Sequence, residues 1–138
     1  MTKLRNWQNV TAPTIADFET MAAAAWERLP AEFREKSSDL LIRVEDFATD
    51  EVLEALGIGS PFDLLGLYHG VSLNNKSVMD LQRQPDMVFL YRRAILEEWA
   101  DGGEALGDLI THVLVHEIGH HFGFSDADMH RIEAKAGA

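Results

Sequence analysis

The spacing of hydrophobic residues along the chain predicts an alternation of helices and short strands. Apolar side chains recur at every third or fourth position over residues 14–29. Thr14 and Asp17 form a capping pattern at the start of this segment, and Pro30 marks its end. Similar patterns and their flanking signals predict helices at residues 50–56, 94–99, 104–122 and 126–135.

Three other segments have the composition of strands. Residues 41–47 alternate between apolar and charged side chains, and residues 87–91 form a compact apolar run. The apolar run 64–71 contains two glycines, which predicts a short, irregular strand at the edge of a sheet. The order of the elements predicts an α+β fold with a small mixed β-sheet, in a single domain that covers residues 1–138.

Composition and charge exclude several classes of protein and of metal site. The chain of 138 residues is 46% hydrophobic and 25% charged, as expected for a globular domain. It has no cysteine, so any metal must be bound by His, Asp or Glu. A formal net charge of −11 disfavours nucleic acid as a partner, because such a field repels phosphate groups. Residues 1–10 lack the apolar core of a signal peptide, and no early apolar run could span a membrane, so we expect a cytoplasmic protein with no membrane partner.

The strongest chemical signal lies in the predicted helix 104–122, where His116, Glu117 and His120 form an H-E-x-x-H pattern. Residues four apart on an α-helix lie on one face, so both imidazoles can bind one ion, and this type of ligand suits zinc. Glu117 lies about 100° around the helix from His116, close to the ion without needing to bind it. That position suits a general base that acts on a zinc-activated water.

A helical wheel places Glu117 on an apolar face. At about 100° per residue, four apolar side chains cluster on one side of the predicted helix: Leu106, Leu109, Ile110 and Val113. Glu117 falls within about 20° of the direction of Leu106, with both histidines of the motif on its flank. A carboxylate on a buried stripe is costly unless a cationic group meets it, and a metal centre supplies such a group.

The third protein ligand is less tightly specified. Gly123 permits a left-handed exit from the helix, which can bring Asp126 back to the ion and leave a coordination position open, as a catalytic zinc site requires. Alternatively, Ser125 caps the last helix, and Asp126 only gains from the positive end of the helix dipole. His130, one turn further along, is the main rival third ligand.

Other polar residues near the motif are weaker candidates. His112 lies about 12 Å from His120 along a straight helix, too far to share one ion. Tyr68, His69 and Tyr91 lie near predicted strands, and each could stabilise an oxyanion. A packed tyrosine or an exposed histidine is the simpler interpretation of these three residues.

The run HEIGHHFGFSD resembles the aspartate form of the zincin metallopeptidase motif, H-E-x-x-H-x-x-G-x-x-D. The runs LLGLYHG and DMVFLYRRAILEE precede it, and this order of elements is similar to that of the mini-zincins, a bacterial family of possible zinc metallopeptidases. The resemblance implies a minimal zincin-like fold, in which a small mixed sheet packs on the active-site helix.

The resemblance also implies roles for individual residues. His116, His120 and Asp126 match the zinc ligands, and Glu117 matches the general base. An edge strand within 67–71 would pair with a peptide or protein substrate in extended form. The implied function is that of a zinc-dependent metallopeptidase that hydrolyses peptide bonds. The alternative is a catalytically inactive zinc-binding interaction module with the same fold.

Overall fold

The computed structural model describes residues 6–36, 39–70 and 86–136. Within these ranges the helices are α1 (Ile15–Glu27), α2 (Ala31–Lys36), α3 (Asp50–Leu56), α4 (Arg92–Asp101), α5 (Leu106–Phe122) and α6 (Asp126–Ala136). The strands are β1 (Leu41–Glu45), β2 (Gly66–His69) and β3 (Met87–Tyr91), and short 3-10 turns lie at Trp7–Asn9 and Pro61–Asp63. None of the described helices is both long and apolar enough to cross a membrane.

The described strands form one mixed sheet in the order β1-β3-β2. The central strand β3 pairs parallel with β1, where Leu41 lies opposite Met87. It pairs antiparallel with β2, where Gly66 lies opposite Leu90. In the described part of the chain β2 is therefore an edge strand, as its glycines predict. The helices and this sheet confirm the predicted α+β class.

Helix α5 packs against both the sheet and the other long helices. One side of α5 contacts β2 and β3, while α1, α4 and α6 also pack on it. The largest fully buried side chains come from these elements and meet in one core: Phe18, Val88, Leu90, Ile95, Ile110 and Leu114. Each such side chain contributes about 1.5–3 kcal/mol when it leaves water. The backbone of α5 is thus held in place around the residues of the H-E-x-x-H motif.

Local signals set the start of α1 as predicted. The Thr14 hydroxyl accepts a hydrogen bond from the Asp17 backbone N–H at 3.1 Å, and the Asp17 carboxylate accepts one from the Thr14 N–H at 2.8 Å. This reciprocal pair satisfies two backbone donors that the helix itself cannot use. The helix ends near Glu27, shortly before Pro30.

Tertiary contacts set the start of α4, which is longer than predicted. The Arg92 guanidinium donates to the Pro13 carbonyl at 2.6 Å and to Asp46 Oδ1 at 2.9 Å. The Arg93 N–H donates to the Asp46 carbonyl at 3.1 Å. Strand β1 ends at Glu45 and is two residues shorter than the predicted strand 41–47.

Two further differences concern α2 and β2. Helix α2 was not predicted, because its six residues are too few to create a periodic apolar pattern. It is held by Phe33, whose ring meets Phe122 and Phe124 edge-on at centroid distances of 5.6 and 5.3 Å. Strand β2 covers only the middle of the predicted run 64–71, and Val71 lies outside the described residues.

Candidate metal centre and active site

Helix α5 brings the two histidines of the motif together on its surface. His116 and His120 are both exposed, and their ring centroids lie 5.2 Å apart at an interplanar angle of 57°. Two imidazoles that bind one zinc ion through nitrogens at about 2.0–2.1 Å and a tetrahedral angle have ring centres roughly 5 Å apart. The spacing of this pair therefore fits a shared ion. His112 lies one turn before His116, and the two rings stack nearly parallel with their centroids 6.4 Å apart. His112 is thus two turns from His120, consistent with its exclusion from the site.

Glu117 is buried, although it lies between two exposed histidines. Its exposed fraction is 8%, and it shares its face of α5 with buried Leu109, Ile110 and Val113, as the helical wheel predicts. Its Oε1 atom accepts a hydrogen bond from the Tyr68 backbone N–H at 2.8 Å. The same oxygen lies 3.6 Å from His120 Nδ1. The buried carboxylate of Glu117 thus has a backbone N–H of β2 as a partner, in addition to the metal ion that the sequence predicts beside it.

The register of β2 explains why the Tyr68 N–H is available. The Tyr91 N–H donates to the Leu65 carbonyl at 3.0 Å, so these two residues form a hydrogen-bonded pair. Hydrogen-bonded and non-hydrogen-bonded pairs alternate along antiparallel strands. Tyr68 lies opposite Val88 in a non-hydrogen-bonded pair, and its N–H consequently points away from β3. Sequence reasoning missed this donor, because every residue except proline has a backbone N–H.

The turn after the motif has the predicted left-handed geometry. Gly123 ends α5 with φ of 73°, a conformation that glycine adopts without steric cost. Its N–H donates to the His120 carbonyl at 3.2 Å, and the Phe124 N–H donates to the Gly119 carbonyl at 2.8 Å. These bonds satisfy carbonyls at the helix end and turn the chain back towards α5.

Asp126 is the first residue of α6, which this turn introduces. The Ser125 hydroxyl accepts a hydrogen bond from the Asp128 N–H at 3.2 Å, so Ser125 caps α6. That cap fits the alternative in which Asp126 lies at the positive end of the helix. It equally places the Asp126 backbone directly after the turn that leads back from His120. The Asp126 side chain lies outside the described part of the structure.

Met129 fixes α6 against the motif. Its side chain is 5% exposed and lies over Gly119, where a Cβ atom added to the glycine would collide with it. The bare backbone of Gly119 thus allows α6 to approach α5 closely, one residue before His120. Met129 is therefore a core residue.

No group of three His, Asp or Glu that could hold a metal is found among the described side chains. His130 is exposed and does not form such a group with His116 and His120. A three-residue site at this place would need a side chain beyond those described. Two neighbouring imidazoles, together with a carboxylate from Asp126 six residues after His120, are a set of ligands that suits zinc.

The two tyrosines near the site are packed, which favours the simpler interpretation of both. Burial, reinforced by the neighbouring carboxyl group of Asp86, holds the pKa of Tyr68 well above its usual range. Burial, with the charges of Glu45 and Glu117, raises the pKa of Tyr91 to about 12. Both phenols therefore stay neutral at pH 7. His69, at the end of β2, is exposed.

Comparison with known proteins supports the same family as the motif. No curated protein matches the chain. A family model described as zincin-like metallopeptidase matches residues 37–136, which include the whole sheet and the helices α3 to α6. Because this match covers most of the chain and contains the H-E-x-x-H motif, the resemblance to the mini-zincins is confirmed, and the chain belongs to the zincin-like metallopeptidase family.

Proposed function

We propose that this protein is a zinc-dependent peptidase that hydrolyses peptide bonds in extended substrates. The observation that carries the proposal is the position of Glu117. Its carboxylate is buried beside two exposed imidazoles and is held at a defined place by the Tyr68 N–H. A carboxylate in this environment serves no evident packing purpose, because an apolar side chain would fill the same space at lower cost.

His116, His120 and Asp126 are the residues that would hold the metal. The two imidazoles come from a helix whose core side is fully packed, so their spacing costs little to maintain. Zinc, when bound by two histidines and one carboxylate, supplies Lewis-acid activation of water and of the peptide carbonyl. We propose Asp126 as the third ligand because it matches the family motif and begins α6, directly after the turn that leads back from His120.

Glu117 is the proposed general base. In this role it takes a proton from the attacking water and then passes that proton to the nitrogen of the leaving amine. The contact with the Tyr68 N–H occupies one hydrogen-bonding position of Oε1, whereas a carboxylate has about four acceptor positions in total. The held carboxylate thus keeps the capacity to receive a proton. Its fixed orientation avoids the cost of ordering it during each turnover.

The edge of β2 is the proposed position of the substrate backbone. Within the described residues, one side of β2 is not paired with another strand, and the edge lies directly beside α5. An extended peptide can add to such an edge through backbone hydrogen bonds, which favour extended chains of varied sequence. Side-chain specificity would then come from surfaces next to the strand.

The test compares wild-type protein with Glu117→Gln after both are loaded with zinc, using a library of extended peptides. The substitution preserves size but removes the base, so we expect hydrolysis to fall by about 10²–10⁴-fold while zinc per chain is unchanged. Glu98→Gln, an exposed position on α4, is the matched control and should hydrolyse at the wild-type rate. If zinc binds but no peptide is cleaved by the wild-type protein, the zinc-binding interaction module replaces this proposal.

A further inference from the structure

We propose that Gly66 is a positioning residue for Glu117, because its missing side chain lets α5 lie close enough to β2 for the carboxylate to reach the Tyr68 N–H. Gly66 is buried and is the first residue of β2, two positions before Tyr68. The backbone N–H and carbonyl of Gly66 point away from β3, as do those of Tyr68, because both residues belong to non-hydrogen-bonded pairs.

The space around Gly66 supports this role. A Cβ atom at this position would lie 2.7 Å from Val113 Cγ1, 3.0 Å from the Phe89 carbonyl oxygen and 3.4 Å from Glu117 Cγ. The first distance is too short for any real carbon contact, and the second involves backbone of the central strand, which cannot move freely. A side chain at Gly66 would therefore push α5 away from the edge of the sheet.

The displacement would act directly on Glu117. Val113 lies one helical turn before Glu117, and both side chains point towards Gly66. The hydrogen bond from Tyr68 to Glu117 is 2.8 Å long, so even a small outward shift of α5 would lengthen it beyond effective range. The absence of a side chain at Gly66 thus keeps the Glu117 carboxylate within hydrogen-bonding distance of the Tyr68 N–H.

The contact has a consequence for substrate pairing. Because Glu117 already accepts from the Tyr68 N–H, an extended peptide on the open edge of β2 has to pair through the other backbone groups on that side. Gly66 supplies two of these groups, its N–H and its carbonyl, which point away from β3. The catalytic meaning of the contact rests on the proposed peptidase function, whereas the contact itself does not.

The first experiment measures the contact without using activity. In the full chain, hydrogen exchange of the Tyr68 amide is followed by NMR in wild type, Gly66→Ala and Gly107→Ala. Gly107 lies in the first turn of α5, and a Cβ there meets nothing within 4 Å, so it is the matched control. We expect exchange at Tyr68 to accelerate about tenfold or more in Gly66→Ala and to match wild type in Gly107→Ala. Exchange at the wild-type rate in Gly66→Ala overturns the proposal.

A second variant covers the case in which Gly66→Ala does not fold. Gly66→Ala combined with Val113→Ala removes the shortest contact but keeps those to Phe89 and Glu117. Because the remaining contact with α5, 3.4 Å to Glu117 Cγ, is an ordinary van der Waals distance, exchange at Tyr68 in the double variant should match that in Val113→Ala alone. Fast Tyr68 exchange that persists in the double variant shows that a side chain at position 66 does not act by displacing α5, and it overturns the proposal.

The second experiment separates positioning from general packing. For a peptide that the wild type cleaves, Gly66→Ala should lower kcat about tenfold or more while KM and zinc per chain stay near the wild-type values. Unchanged kcat together with fast Tyr68 exchange shows that catalysis does not use the contact, and the catalytic part of the proposal then fails. If no peptide is cleaved at all, the peptidase function fails, and the amide measurement still decides the role of Gly66.

Discussion

The Tyr68 backbone N–H and the Glu117 carboxylate, 49 residues apart in the chain, form a 2.8 Å hydrogen bond that joins the edge strand β2 to the helix α5. It gives a buried carboxylate a charge-assisted partner, a type of bond that contributes about 1.5–3 kcal/mol. It also places the candidate base at the edge where an extended peptide would bind.

Asp126 is expected to bind zinc, and His130 is not. In Asp126→Ala the affinity for zinc should fall by about tenfold or more, because one protein ligand of three is lost. His130→Ala should retain wild-type affinity, since this exposed side chain does not join His116 and His120. Zinc content after dialysis, measured by atomic absorption, distinguishes the two variants. Zinc retained in Asp126→Ala and lost in His130→Ala would reverse the assignment of the third ligand.

Met129→Ala should destabilise the protein by about 2–5 kcal/mol, the usual cost of removing a buried side chain of this size. Met129 is 5% exposed and fills the space over Gly119, so the truncation leaves a cavity between α5 and α6. Urea unfolding measures the loss of free energy of unfolding. Ala134→Ser, on the exposed side of the same helix, is the control and should change it by less than about 0.5 kcal/mol. If Met129→Ala also lowered the free energy of unfolding by less than about 0.5 kcal/mol, α6 would not depend on this contact.

Thr14→Ala should lower the free energy of unfolding by about 1 kcal/mol, because α1 loses its capping box. Thr20→Ala provides the comparison within the same helix. Thr20 donates its hydroxyl to the Ala16 carbonyl and caps nothing, so this substitution should be neutral. Both values come from urea unfolding monitored by circular dichroism. Equal effects of the two substitutions would contradict the capping role.

The protein should lose stability as the pH rises above about 10. Burial raises the pKa of Tyr91 to about 12 and shifts that of Tyr68 in the same direction. The unfolded chain therefore releases the phenol protons at lower pH than the folded chain, so the free energy of unfolding falls as pH increases through this range. The stability from these groups is fully present below the unfolded pKa and is lost by the folded pKa.

Substitution tests this alkaline dependence. Tyr91→Phe should give a shallower fall in the free energy of unfolding between about pH 10 and 12 than wild type, by up to about 1.4 kcal/mol per pH unit. Because the chain contains two tyrosines, Tyr68→Phe gives a second, independent comparison. Parallel curves for wild type and Tyr91→Phe would mean that its phenol titrates alike in the folded and unfolded chains.

The sequence predicted those features that depend on neighbours within one helical turn. The start of α1 follows from Thr14 and Asp17, three residues apart, and the burial of Glu117 follows from its angle on the wheel. The close pairing of His116 and His120 follows from their spacing of four residues. These relationships hold in any α-helix, because the helix itself fixes the directions of residues three and four apart.

Other features were decided by contacts between distant segments. Helix α4 begins at Arg92 because this side chain meets Pro13 and Asp46, and α2 is held by the ring contacts of Phe33. Neither produces a periodic pattern in the sequence. Helix α2 was therefore missed, and the bounds of α4, β1 and β2 differ from the predicted ones by a few residues, whereas β3 covers the predicted residues 87–91.

For the candidate site, the sequence by itself determined the chemistry of the side chains, and the tertiary structure decided what holds them. The motif identifies His116, His120 and Glu117 and assigns them to one helix face. Only the fold decides that the Tyr68 N–H receives Glu117 and that Gly66 leaves the space for it. The physical reason is that a backbone N–H is the same group at nearly every residue. Which N–H stays outside the β-ladder depends on strand register, and register is set by pairing between segments far apart in the chain.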